Sequence, residues 1–92
     1  MIEEEMFLKE INEIRAKFNK ITSELENEEI PIHYAHFNVE PLLKRALILK
    51  QCLKHMGVDK SVYSEIVEVV DNLKQLSHDI TDVIYIEHGI RF

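Results

Sequence analysis

Apolar residues recur along most of this chain at alternating steps of three and four, and no other feature restricts its fold as strongly. This period of about 3.5 residues places the apolar side chains in one row along a helix, and we call each such row a seam. The first seam consists of Phe7, Ile11, Ile14, Phe18, Ile21 and Leu25. It predicts a single amphipathic helix over about the first 25 residues, which Pro31 prevents from continuing.

Two further seams predict two more helices. The second seam consists of Leu42, Ala46, Leu49, Leu53 and Met56, and the third of Val62, Ile66, Val69, Leu73, Leu76, Ile80 and Val83. The second helix is expected to begin near Asn38–Pro41 and to end at Gly57, a natural C-terminal stop. Asp59 or Ser61 is expected to cap the third helix, which continues to His88 without Gly or Pro and is about 42 Å long.

Residues 30–39, with the sequence IPIHYAHFNV, are expected to form a short extended connector between the first two helices. They mix aromatic, histidine and β-branched residues in a rough alternation, which is typical of extended chain. The sequence therefore predicts an all-α fold in one domain over residues 1–92, an antiparallel bundle of three main helices. Because long seams often close by self-association, we expect a homodimer, with a monomeric bundle as the alternative.

Composition restricts the classes of function. The 92 residues include 17 acids and 11 Lys or Arg, a net charge of −6, which disfavours direct binding to nucleic acid or anionic lipid. The single cysteine, Cys52, excludes an intramolecular disulfide and favours a reducing compartment. No apolar run is long enough for a membrane span, and an acidic start is unlike a signal peptide. We therefore expect a cytoplasmic protein that does not engage membranes.

The acids are concentrated outside the second helix and suggest a binding surface. Residues 1–40 carry ten acids and four bases, residues 41–60 one acid and five bases, and residues 61–92 six acids and two bases. Carboxylates at helical spacing on a rigid rod are able to stand in for DNA phosphates opposite Lys or Arg of a DNA-binding protein. The candidate phosphate-mimicking residues are Glu3, Glu10, Glu13, Glu24, Glu26, Glu28, Glu29, Glu65, Glu68, Asp71, Asp79 and Asp82. DNA, with one charge per ~1.7 Å, carries a far higher charge density.

Catalysis has weaker support in the sequence. The pairs Glu65-x-x-Glu68 and Asp79-x-x-Asp82 resemble the acidic motifs of MazG-like nucleotide pyrophosphohydrolases, which implies Mg²⁺ and a nucleotide substrate. On one unbroken helix, however, Glu65 and Asp79 are about 21 Å apart, too far for one metal cluster. The sequence contains no Gly-rich phosphate loop and no nucleophile motif. We therefore expect no enzyme activity and no cofactor.

A zinc site is a further alternative to the acidic surface. His33-x-x-His36 and Cys52-x-x-His55 offer ligand types that zinc accepts. Their spacing matches no established finger pattern, and histidines in such a segment more often serve as packing residues. We therefore expect no bound metal.

A helical interaction module is the main alternative function. In that case the protein would bind one partner through an exposed apolar stretch, and the region Ile30–Phe37, with Tyr34 and Phe37, would be its hot spot. Such binding would be insensitive to salt, whereas binding through the acidic surface would weaken as salt rises.

The chain as a whole also resembles a known family. It is short, rich in Ile, Lys, Glu and Asn, nearly free of Gly and Pro, and begins MIEEEMFLKEINEIRAKFNK. In size, acidity and helical composition it is similar to the Arn family, the anti-restriction nuclease proteins of T-even bacteriophages. The resemblance implies an acidic dimeric DNA mimic that acts in the bacterial cytoplasm. Its partner would be a host DNA-binding protein, either a modified-cytosine restriction nuclease or a nucleoid protein.

Overall fold

Three helices account for the fold. The computed structural model describes residues 2–88, with side chains from residue 4 to residue 86. Helix α1 spans Ile2–Glu26, α2 spans Ile32–Met56 and α3 spans Lys60–His88, and this part of the chain contains no β-strand. The predicted all-α bundle of three helices is confirmed.

Short turns join the helices into an elongated antiparallel bundle. The Cα atoms extend over 48 × 24 × 16 Å with a radius of gyration of 14.6 Å, whereas a compact domain of this length has about 12 Å. The 29 residues of α3 are about 43 Å long, so the helices run along the long axis of the molecule. Helix α2 packs most extensively on α3, and α1 packs on both.

The three seams meet in one core. Its fully or nearly buried side chains form a single cluster, which consists of Ile11, Ile14, Ile21, Ala35, Val39, Leu42, Ala46, Leu53, Val62, Ile66, Val69, Val70, Leu73, Ile80 and Ile84. No polar or charged side chain is buried among those described. Two predicted seam residues, Met56 and Val83, lie outside this core, because they are 53% and 37% exposed. Since the rest of each seam is covered by the other two within one chain, the seams give little reason for dimerisation, and the homodimer stays a prediction.

Helix α1 ends in a Schellman motif at a residue that is not glycine. The N–H of Glu28 donates to the Leu25 carbonyl at 3.1 Å, and the N–H of Glu29 donates to the Glu24 carbonyl at 2.8 Å. Glu28 has a φ of 56°, a left-handed conformation in which a side chain costs about 1–2 kcal/mol. The chain therefore reverses direction here at a conformational cost.

The extended connector expected over residues 30–39 is wrong, because α2 already begins at Ile32. Pro31 has an extended backbone, and its carbonyl accepts the N–H of Ala35 at 3.2 Å. Val39 and Ala35 are fully buried and continue the second seam backwards from Leu42 at steps of three and then four. Burial of this extended seam outweighs the low helix propensity of the aromatic and β-branched residues around it.

The start predicted for the second helix near Asn38–Pro41 is wrong for the same reason, and Pro41 lies inside α2. Proline lacks an N–H, so the Phe37 carbonyl does not receive the usual hydrogen bond from four residues on. Both Pro41 and Phe37 are exposed to solvent, where water is able to satisfy that carbonyl. The helix therefore passes through a proline that would break it if it faced the core.

The second turn follows the sequence prediction. Gly57 ends α2 in the left-handed conformation at φ 65°, and its N–H donates to the Lys54 carbonyl at 3.4 Å. Asp59 stands immediately before α3, and its carbonyl accepts the N–H groups of Val62 and Tyr63, both at 3.1 Å. The third helix is continuous to His88, as predicted. Within the described residues, no helix has the length and apolar character needed to cross a membrane.

The two left-handed positions give a matched pair of stability changes. Glu28→Gly is expected to stabilise the protein by about 0.5–1 kcal/mol, because glycine adopts this conformation without steric cost. Gly57→Ala is expected to destabilise it by about 1 kcal/mol, purely through the backbone, since an added Cβ would meet no atom within 4 Å. Urea unfolding monitored by circular dichroism measures both. Shifts of the two midpoints in the same direction would contradict the assignment of the two turns.

Candidate protein-binding surface

Three of the predicted acidic site residues form ion pairs between helices. On α1, Glu10 and Glu13 both contact the guanidinium of Arg45 on α2, with 3.4 Å between Glu13 Oε2 and Arg45 Nη2. On α3, Glu65 pairs with Arg15 of α1. These contacts fix α1 to its two neighbours, and their carboxylates are already matched by cations of the same chain.

Four other predicted acids share the exposed side of α3, and we call Glu68, Asp71, Asp79 and Asp82 the acidic surface. Asp79 accepts a hydrogen bond from Gln75 at 2.9 Å, and Asp82 lies 3.2 Å from His78 Nδ1. The four carboxylates are spread over about 21 Å of helix, along which duplex DNA would carry about 12 charges. The charge density of the acidic surface is thus about a third of that of DNA.

The remaining predicted acids lie around the end of α1. Glu26, Glu28 and Glu29 are exposed, and Glu24 is half-buried beside Lys17 and Lys20. The structure does not bring these residues into one row with the acidic surface, because they occupy the end and the turn of a different helix. Glu3 lies outside the residues whose side chains are described.

The groups considered for metal binding or catalysis do not assemble. Among the described side chains, no three His, Cys, Asp or Glu residues are placed so that they would hold a metal ion. Glu65 and Asp79 lie on one continuous helix, which keeps them about 21 Å apart. Cys52 is an exposed free thiol.

A row of exposed apolar residues runs along the side of α2 that faces away from the core. We call it the outer face of α2, and it consists of Tyr34, Phe37, Pro41, Ile48, Cys52 and Met56. The exposed fractions are 74% for Phe37, 66% for Ile48, 55% for Tyr34 and 53% for Met56. An apolar row of this length on a small protein is typical of a surface that another molecule covers.

A cleft lies beside the N-terminal end of the outer face. It has a volume of about 220 Å³, and its lining residues come from α1, α2 and the turn between them: Lys17, Lys20, Ile21, Glu24, Ile30, Tyr34, Asn38 and Leu42. This volume is below the 300–1,000 Å³ or so that is common for small-molecule sites. A cleft of this size, with Ile21, Ile30 and Leu42 among its lining residues, is suited to one bulky apolar side chain of a partner.

Part of this surface follows from the sequence and part does not. Tyr34 and Phe37 were predicted as a hot spot and are exposed, but as members of a helix. Pro41, Ile48, Cys52 and Met56 were not predicted as functional residues. The helical period of the sequence would have identified them. If Ala35 and Val39 belong to the second seam, these apolar residues lie on the opposite side of the same helix.

The ion pairs at Arg45 give a testable electrostatic prediction. A double-mutant cycle of Glu10→Gln and Arg45→Gln is expected to give a coupling free energy of about 0.5–1 kcal/mol at low salt, falling in 1 M NaCl. Lys44 is the matched control because it is the neighbouring, exposed cation. The cycle of Glu10→Gln with Lys44→Gln is expected to show almost no coupling, and equal coupling in both cycles would contradict the specific pair.

Comparison of the chain with protein-family models, curated proteins and solved structures gives no match. The function proposed below therefore depends on the geometry and chemistry of the surfaces themselves.

Proposed function

We propose that this protein acts without catalysis, as a helical module that binds a helix of another protein on the outer face of α2. The observation that carries this proposal is the exposure of Phe37 and Ile48, at 74% and 66%. Neither side chain is needed by the core, which is complete without them. Retention of two bulky apolar side chains in water is explained if a partner covers them.

The energetics of the outer face suit a binding hot spot. Aromatic side chains bury about 150–250 Å² each, so burial of Tyr34 and Phe37 supplies a large part of the apolar contact of a small interface. Truncation of a central aromatic anchor typically costs about 2 kcal/mol or more of binding free energy. We assign that anchor role to Phe37, the most exposed aromatic of the outer face.

The cations around the outer face define the chemistry of the partner. Lys17 and Lys20 line the cleft at one end together with a single acid, Glu24, and Lys44 lies exposed next to the middle of the row. None of the three has an ion pair among the described residues. A partner helix with apolar residues at steps of three and four, flanked by acids, would match both the apolar row and these ammonium groups. One apolar side chain of that helix would enter the cleft.

A second candidate is the acidic surface on α3, acting as a DNA mimic. It is favoured by the common exposure of its four carboxylates on one side of a rigid helix. Glu68 and Asp71 form no ion pair within the described part of the chain. In this candidate function a restriction nuclease or nucleoid protein of a phage-infected bacterium would be inhibited, and a homodimer would double the number of carboxylates. Its modest charge density makes it the weaker of the two.

Site-specific photocrosslinking in a cell lysate separates the two candidates. A photoreactive phenylalanine analogue is placed at Phe37 or Ile48 on the outer face, at Glu68 or Asp79 on the acidic surface, and at exposed Asn19 as the control. We expect crosslinks from Phe37 and Ile48 to one and the same protein, retained in 1 M salt and absent from the control. The crosslinked peptide should come from an amphipathic helix with acids beside its apolar positions.

Other crosslinking patterns have defined meanings. Crosslinks from Glu68 and Asp79 to a DNA-binding protein, lost at high salt and displaced by duplex DNA, would favour the acidic surface and contradict the module. Crosslinks from Phe37 and Ile48 only to a second copy of the chain would make the outer face of α2 a homodimer interface. In that case the proposal of a different partner protein fails.

A further inference from the structure

A second cleft lies between α2 and α3, and cationic side chains dominate it. It has a volume of about 450 Å³, and its lining consists of Leu47, Lys50, Gln51, Lys54, Tyr63 and Lys74. This volume is in the range of about 300–1,000 Å³ that is common for small-molecule sites. The cleft is separate from the outer face of α2, with which it shares no residue.

The charge of this cleft is opposite to that of the protein as a whole. Three ammonium groups line it and no acid does, although the chain has a net charge of −6. Within the described residues, Lys50, Lys54 and Lys74 form no ion pair. A bound anion with several charges would supply the counter-charges that the chain itself does not place beside these ammonium groups. The cleft is therefore suited to an anion with several negative charges.

The register of the two helices determines how far apart the three lysines are. Ser77 Oγ donates to Glu40 Oε1 at 3.4 Å, which aligns α3 antiparallel to α2 at this level. Counting from this pair places Lys74 near Leu43, about 10 Å along the bundle from Lys50, whereas Lys50 and Lys54 are about 6 Å apart. One phosphate group is too small to bridge this row, but flexible lysine side chains are able to follow a short linear chain of phosphates.

The neutral groups of the cleft fit the same ligand. The hydroxyl of Tyr63 and the side-chain amide of Gln51 are able to donate hydrogen bonds to phosphate oxygens. Charge-assisted hydrogen bonds from lysine to phosphate are among the stronger polar contacts in proteins. We propose that the cleft between α2 and α3 binds a di- or triphosphate group, carried either by a nucleotide or by an inorganic polyphosphate. This site is independent of the proposed protein-binding function.

Calorimetric titration tests the site, with tripolyphosphate, ATP, orthophosphate and adenosine as separate probes at low salt and without divalent cations. We expect both tripolyphosphate and ATP to bind, with orthophosphate at least about tenfold weaker and adenosine showing no binding. ATP binding more tightly than tripolyphosphate would identify a nucleotide as the source of the phosphates, and equal affinity would identify inorganic polyphosphate. Equal binding of orthophosphate and tripolyphosphate would overturn the proposal.

Two triple variants with the same change of charge make the test specific. The first variant combines Lys50→Gln, Lys54→Gln and Lys74→Gln. It is expected to weaken tripolyphosphate binding by more than about tenfold, because each substitution removes a charge-assisted contact with the ligand. The control combines Lys17→Gln, Lys20→Gln and Lys44→Gln and is expected to lose clearly less affinity, because none of these lysines lines the cleft. Circular dichroism verifies that both variants fold. Equal losses in the two variants, or no binding to the unaltered protein, would overturn the site.

Discussion

The core and both proposed binding sites depend on the packing of α2 on α3. The antiparallel pair buries the second and third seams against each other, and α1 covers the groove that remains. Because α2 must turn its seam towards both neighbours, its opposite side is left in water, and the apolar residues there become the outer face. The same alignment brings lysines of α2 and α3 to one cleft. Both proposed binding sites are therefore consequences of how a single pair of helices is oriented.

Helices α1 and α3 were predictable because their seams consist of large apolar residues at unbroken spacing. The first half of α2 was not, because its seam depends on Ala35, which carries little apolar signal, among aromatic and histidine residues that are typical of extended chain. Pro41 also favoured the wrong prediction that the helix begins only near this residue. In the folded protein it is tolerated because it lies on the exposed side, where the cost of the missing hydrogen bond is smallest. Tertiary burial overrides local propensity here.

The binding surfaces were less predictable than the helices. Sequence spacing identified the acids, but only the packing shows that Glu10 and Glu13 meet Arg45 and that Glu65 meets Arg15. Those pairs join residues 32 to 50 positions apart, beyond the range of any local pattern. The cleft between α2 and α3 depends in the same way on the alignment of these two helices, because its lysines come from both of them. The acidic surface on α3, by contrast, follows directly from helical periodicity.

The most direct test compares the core with the outer face of α2 by urea unfolding at two protein concentrations. Leu53→Ala removes a fully buried side chain and is predicted to cost about 2–5 kcal/mol of the free energy of unfolding. Phe37→Ser and Ile48→Ser are predicted to change it by less than about 0.5 kcal/mol each, with midpoints that do not depend on concentration. A cost of Phe37→Ser equal to that of Leu53→Ala, with a midpoint that rises with concentration, would contradict a complete core within one chain and a free outer face.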